Sequence, residues 1–353
     1  MLDFLPKGRF SSSMSSRYSP LKDIFWDRLG GCLEAVDSGT TTVVDNANMN
    51  YSPEYSSSAL SATVAWGIRS FFCCCPTPRV TSWSPFEMAT SLMPDWFHAQ
   101  LAELAEKQPF GDGRVSLGFA FEGSFLPKDV VIGNFEKVRR LGIKLITSHY
   151  TRNPVFDAPP EYPVQLAAAN GHISSTPEVE LQMGIGTPVC FRPDLHEIAS
   201  LGVDCHSSNS GDILIPRDIG SHTVEAAYNL GTIKGARAVG MGGEIGSIAV
   251  GKLADLIIFD AKSPGMVYAA QHNPVAAIVL HASVRDIDTV IVDVDGRKTG
   301  GKLIAVEKEV AVELLKCRQR LDEELSKLDL HGPKKAITAR LHIDKDRIVD
   351  SLA

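Results

Sequence analysis

Two hydrophobic rhythms run through this chain. The first is a set of short, nearly continuous apolar runs at 40–45 (TTTVVD), 68–75 (IRSFFCCC), 115–121 (VSLGFAF) and 143–148 (IKLITS). Runs of this length without alternation are what strands buried on both faces require. The second rhythm has helical spacing, over 23–37, 53–66, 85–107 and 127–141. Each strand is followed by a helix of ten or more residues. That βαβα alternation predicts a parallel sheet or a (β/α) barrel.

The rhythm breaks after His149. A proline-rich loop, 150–162, leads to a short helical piece at 164–170 and a strand at 172–176. A helix at 192–200 and a strand at 202–204 follow. The stretch 223–239 carries Val224, Ala227, Leu230, Ile233 and Ala236 at helical spacing. Strands expected at 256–260, 276–281 and 289–294 make a small β module, and 307–328 reads as a charged amphipathic helix. The expected division is an irregular segment 1–22, a barrel-type domain 23–243, a β segment 244–303 and a C-terminal helix and tail 304–353.

Composition narrows the function. The net charge of −7 gives no basic excess, which disfavours an electrostatic nucleic-acid binder. No apolar run approaches the roughly 20 residues that span a bilayer. Seven cysteines form no C-x-x-C pair, and their odd number fits a reducing compartment, so a cytoplasmic protein is expected. The first twenty residues lack the long apolar stretch of a secretory signal. Cys73, Cys74 and Cys75 are consecutive, so in a strand they point to alternate faces and serve as small apolar fillers rather than as one metal site.

The most specific segment is GSIAVGKLADLIIFD, residues 246–260, preceded by GTIKGARAVGM. Its glycines supply turn geometry on the way into a strand. Here the chain resembles the metal-dependent amidohydrolase superfamily, in the branch of cytosine, guanine and S-adenosylhomocysteine deaminases and triazine hydrolases. The residues that carry the likeness are Thr232, Gly235, Ala236, Gly246, Ile248, Gly251, Lys252, Ala254, Asp255, Leu256 and Asp260. AVDSGTTTVVD (35–45) and LGVDCHSSN (201–209) are similar to two further family segments. The resemblance implies a distorted, incomplete TIM (β/α)8 barrel with a small flanking β-sandwich. It also implies hydrolysis of a C–N or similar bond on a small, heterocyclic substrate.

What the resemblance implies for single residues is concrete. Asp204 would bind a divalent metal and take a proton from the attacking water. His149, at the end of a strand, would be a metal ligand; neutral imidazole suits zinc ahead of iron. Without the resemblance, Asp204 reads as a turn residue and His149 as a structural histidine. Ser208 and Asn209 either orient the Asp204 loop or make an ordinary turn. Glu178 and Glu180, in TPEVELQMG, either approach the substrate or lie on a solvated loop.

The chain departs from the family pattern in three places. No H-x-H pair occurs among its ten histidines, and the first histidine is His98. Only one crossover fits between His149 and the 172–176 strand, so a strand bearing another ligand is expected to be missing. Where deaminases carry an acid three residues after the His149 position, this chain has Arg152. Two readings therefore stand: a metal-dependent hydrolase, or an impaired relative whose metal is weakly bound or absent. A small-molecule substrate is expected in the first, and a homo-oligomer is left open. A dinucleotide-binding enzyme is remote, since no G-x-G-x-x-G follows the first strand.

Overall fold

The computed structural model describes residues 21–77, 79–83, 85–123, 125–149, 168, 172–174, 224–304 and 307–327. Helix α1 (Leu21–Asp37) leads into strand β1 (Thr42–Ala47), α2 (Pro53–Trp66) and β2 (Arg69–Cys74). A short hairpin, β3 (Val80–Trp83) and β4 (Phe86–Met88), precedes α3 (Asp95–Lys107) and β5 (Val115–Ala120). Then come α4 (Lys128–Arg140), β6 (Leu145–His149) and β7 (His172–Ser174). Strands β1, β2, β5, β6 and β7 form one sheet in that order, parallel at every pairing. This is an α/β fold whose parallel sheet makes a half-barrel.

Side chains of the sheet alternate between two apolar faces, as the unbroken runs require. On the helix-covered face Phe72, Cys74, Leu117, Phe119, Phe121 and Ile146 pack with Leu101, Val131 and Phe135. The Phe119 and Phe121 rings stack at 5.8 Å, and Phe135 meets Phe121 edge-on at 5.4 Å. The concave face carries Phe71, Cys73, Cys75, Ala120 and Leu145, against which Val239 and Met241 pack. The cysteine triplet is thus buried and split between the faces, with free thiols.

The second half is built differently. Helix α5 (Val224–Asn229) passes through a wide π turn, Leu230–Lys234, into α6 (Gly235–Ala238). The expected continuous helix over 223–239 is broken there, with Thr232 at φ −129° and ψ −106°. The break makes room for the motif loop. A Cβ on Gly246 (φ +81°) would meet Ala236 Cβ at 2.6 Å and the Thr232 carbonyl at 3.0 Å. Lys252 closes the same loop, its Nζ donating to the carbonyls of Gly242 (2.6 Å) and Ile245 (3.0 Å).

Strand β8 (Leu256–Phe259) is followed by helices α7 (Val267–His272) and α8 (Pro274–His281). The strand expected at 276–281 is therefore a helix. Asn273 caps it, Oδ1 accepting from the amides of Val275 and Ala276 at 3.0 Å each, and Pro274 occupies the first turn. Strands β9 (Ile287–Val292), β10 (Asp295–Thr299) and β11 (Lys302–Leu303) complete an antiparallel sheet in the order β11-β10-β9-β8. It is one four-stranded layer. Helix α9 (Glu307–Ser326) packs back on α1, where Arg320 pairs with Asp23. The helix expected over 85–107 begins only at Asp95, after the hairpin and Pro94.

Candidate active site at the strand ends

In a parallel barrel sheet, chemistry gathers at the C-terminal ends of the strands. Here those ends are Ala47, Cys74, Ala120, His149 and Ser174. His149 closes β6 and pairs with Ser174 of β7, while Thr147 pairs with Ala120 on one side and His172 on the other. The side chain of His149 lies outside the described residues, as do Asp204, Glu178, Glu180, Ser208 and Asn209. The meeting of His149 with Asp204 expected from sequence therefore falls outside the described part of the molecule.

The rim that is described is polar and well fixed. Past the last paired residues, the amide of Phe121 still donates to the Thr147 carbonyl at 2.8 Å. The Ser148 hydroxyl donates to the Phe121 carbonyl at 2.6 Å, sewing β5 to β6 at their tips. Thr77 Oγ1, beyond the end of β2, donates to the Asn48 carbonyl beyond β1. Sequence reasoning passed over Glu122, which follows directly on this seam. The signal was present: an acid ending an apolar strand run, VSLGFAFEG.

Electrostatics on the concave face follow from burial. Cys75 is 1% exposed. Desolvation first, and the nearby Glu122 carboxylate second, push its thiol well above the ordinary value. Such a thiol stays protonated and is a poor nucleophile or metal ligand. Among the described residues no three His, Cys, Asp or Glu side chains gather into a metal-holding group.

At the opposite pole of the sheet the family-like motif has a different task. Asp255 accepts from Arg69 Nε at 2.8 Å and Arg69 Nη2 at 3.0 Å. It also accepts from Thr42 Oγ1 at 3.3 Å and from the Asp293 amide at 2.9 Å. Thr42 and Arg69 are the first residues of β1 and β2. Asp255 thus clasps the antiparallel sheet to the N-terminal ends of the parallel strands. In TIM barrels that face serves stability rather than catalysis.

Comparison with known proteins agrees with this geometry. Residues 194–304 match the model of the Amidohydrolase family. A 5-methylthioadenosine/S-adenosylhomocysteine deaminase of Syntrophobacter fumaroxidans is 30% identical over 171 residues, 44% of this chain and 37% of the relative. The equivalent deaminase of Moorella thermoacetica is 27% identical over 338 residues, 82% of this chain and 72% of the relative. The matched segment thus spans little more than a third of the first relative's length. In solved structures, an adenosine deaminase from Xanthomonas campestris with bound zinc aligns at TM-score 0.68 and 19% identity, covering 88% of this chain and 77% of its own. The half-barrel sheet is similar to that of this solved structure, and residues 194–304 of the chain match the Amidohydrolase family.

Proposed function

We propose that this protein is an amidohydrolase-type hydrolase that cleaves a C–N bond on a heterocyclic, purine-nucleoside-like small molecule at the C-terminal ends of the parallel strands. The observation that carries the reading is the position of His149. It terminates β6 at the pole where barrel enzymes place their chemistry, in a chain whose 194–304 segment, which includes Asp204, matches the family. Asp204 takes the proton of the attacking water and returns it to the leaving nitrogen. Ser208 and Asn209 orient that loop, and Glu178 and Glu180 approach the substrate.

The donors for a divalent ion, zinc ahead of iron, are His149 and Asp204. Two donors fall short of the three or more that a mononuclear zinc site takes, and the described residues gather no third. The absence of H-x-H from all ten histidines favours the second reading, an impaired relative.

One pair of measurements separates the readings. Ammonia release from 5-methylthioadenosine is followed for the full chain and for Asp204→Asn, and both preparations, purified without added metal, are assayed for zinc and iron. A hydrolase loses about 10²–10⁴-fold in rate on the substitution, the range for removal of a general base. An impaired relative releases no ammonia in either form and carries no stoichiometric metal. Equal, measurable rates in both forms would remove Asp204 from the chemistry.

A further inference from the structure

A small cavity lies on the helix-covered side of the sheet, between α1, the loop after β1 and the first turns of α2. Phe72 and Ala59 give it an apolar back, Asn50 and Ser56 sit within it, and Asp27 and Arg28 of α1 close it. Its volume is about 20 Å³. A water needs roughly 10–15 Å³ of such space, so there is room for one and for nothing much larger. Asn50 and Ser56 are each 2% exposed. The Ser56 hydroxyl donates to Asn50 Oδ1, which settles the orientation of the amide. Asn50 Nδ2 is then shut off from solvent and meets no acceptor among the described residues. A buried amide donor left unbonded is costly, and native structures rarely tolerate one.

The lining decides what the donor can meet. Arg28 is paired with Asp45 at 2.6 Å, and Asp27, exposed at the mouth, adds a second carboxylate. The surroundings are negative on balance, which disfavours an anion. An N–H pointing inward disfavours a metal ion. The complement is a neutral group that accepts from Nδ2 and donates to a carboxylate or to the Ser56 oxygen, and water does both. The place matters too. The loop that carries Asn50 belongs to the rim, since the Asn48 carbonyl receives the Thr77 hydroxyl from the loop after β2.

We propose that this cavity is a site for one ordered water, bound by Asn50 Nδ2 and donating to the Asp27 carboxylate, and that through it α1 tethers the rim loop after β1. The inference is independent of the chemistry assigned to His149 and Asp204.

The test uses the full chain. A high-resolution crystal structure is expected to show one water at roughly 2.7–3.2 Å from Asn50 Nδ2. A dry cavity overturns the proposal, as does an acceptor supplied by the protein itself. Crystals soaked in bromide check the charge argument, and an anomalous peak in the cavity would assign it to an anion instead. In solution, magnetic relaxation dispersion of the solvent counts long-lived internal waters. Asn50→Leu, which removes the donor and fills the space, is expected to lose one; an unchanged count overturns the site. If Asn50→Leu fails to fold, Ala59→Val, which fills the cavity from α2 and keeps the amide, must lose the same water. The tether is read separately by hydrogen exchange in Asp27→Ala. Loss of one bridging hydrogen bond speeds exchange of the amides of residues 48–51 by about 3- to 10-fold, while the strand amides stay as they were. Unchanged exchange in that loop overturns the tether.

Discussion

Arg69 and Asp255 are 4% and 3% exposed at their side chains and share two hydrogen bonds. Burial works against the Arg69 charge, but the Asp255 carboxylate, with Asp293 behind it, more than compensates and raises its pKa. Removing Asp255 leaves the buried Arg69 only the more distant Asp293 carboxylate, at 3.5 Å. Asp255→Ala is expected to destabilise the fold by about 3–5 kcal/mol in urea denaturation. A change under about 1 kcal/mol would mean that the clasp is not formed. The thiols give a second residue-scale prediction. Burial raises Cys74 to about 12 and Cys32 to about 11, and lifts Cys73 and Cys75 well above the ordinary range. Because the thiolate is the reacting species, these four should stay silent to a disulfide reagent at pH 8 and react only on unfolding. Rapid labelling of any of the triplet in the folded protein would contradict the burial.

At the scale of elements, the hairpin between β9 and β10 turns through two residues, with Val292 opposite Asp295. Both loop residues, Asp293 (φ +52°) and Val294 (φ +67°), are left-handed. That is the geometry of a type I′ turn, where Asn-Gly or Asp-Gly is preferred and a β-branched side chain is strained. Val294 is 77% exposed, so it gains little by burial in return. Val294→Gly is expected to stabilise the protein by about 1 kcal/mol, read as a higher urea midpoint at unchanged slope. A lower midpoint would show that the side chain is needed. The same region marks the limit of reading elements from sequence. The parallel strands were legible because burial on both faces leaves a short apolar run, and each run is followed by a stretch of helical spacing. PVAAIVLH (274–281) is apolar all round as well, and periodicity alone does not separate it from a strand. The Asn-Pro pair before it was the deciding signal. The hairpin 80–88 was hidden because two strands of four and three residues are too short to show a period.

For the whole molecule, the family likeness was readable because turn glycines and the Asp255 clasp leave fixed letters in the sequence. The chemistry was less readable. His149 stood out as a strand-ending imidazole, whereas Glu122 shares the rim only through inter-strand register, which one sequence does not contain. Among the described residues the parallel sheet ends at β1 and β7 and the antiparallel sheet at β11 and β8. The edge strand β8 carries Ile258 at 52% exposure and the loop before it Ile248 at 90%. Apolar edges of this kind invite strand addition.

The Asp255 tether lies beneath the sheet, a full strand length away from the rim where His149 and Glu122 stand. Anchorage and reactivity therefore occupy separate poles of one scaffold. Rim loops can be exchanged for new substrates without unfastening the lower layer, and breaking the fastening should cost folding before it alters selectivity.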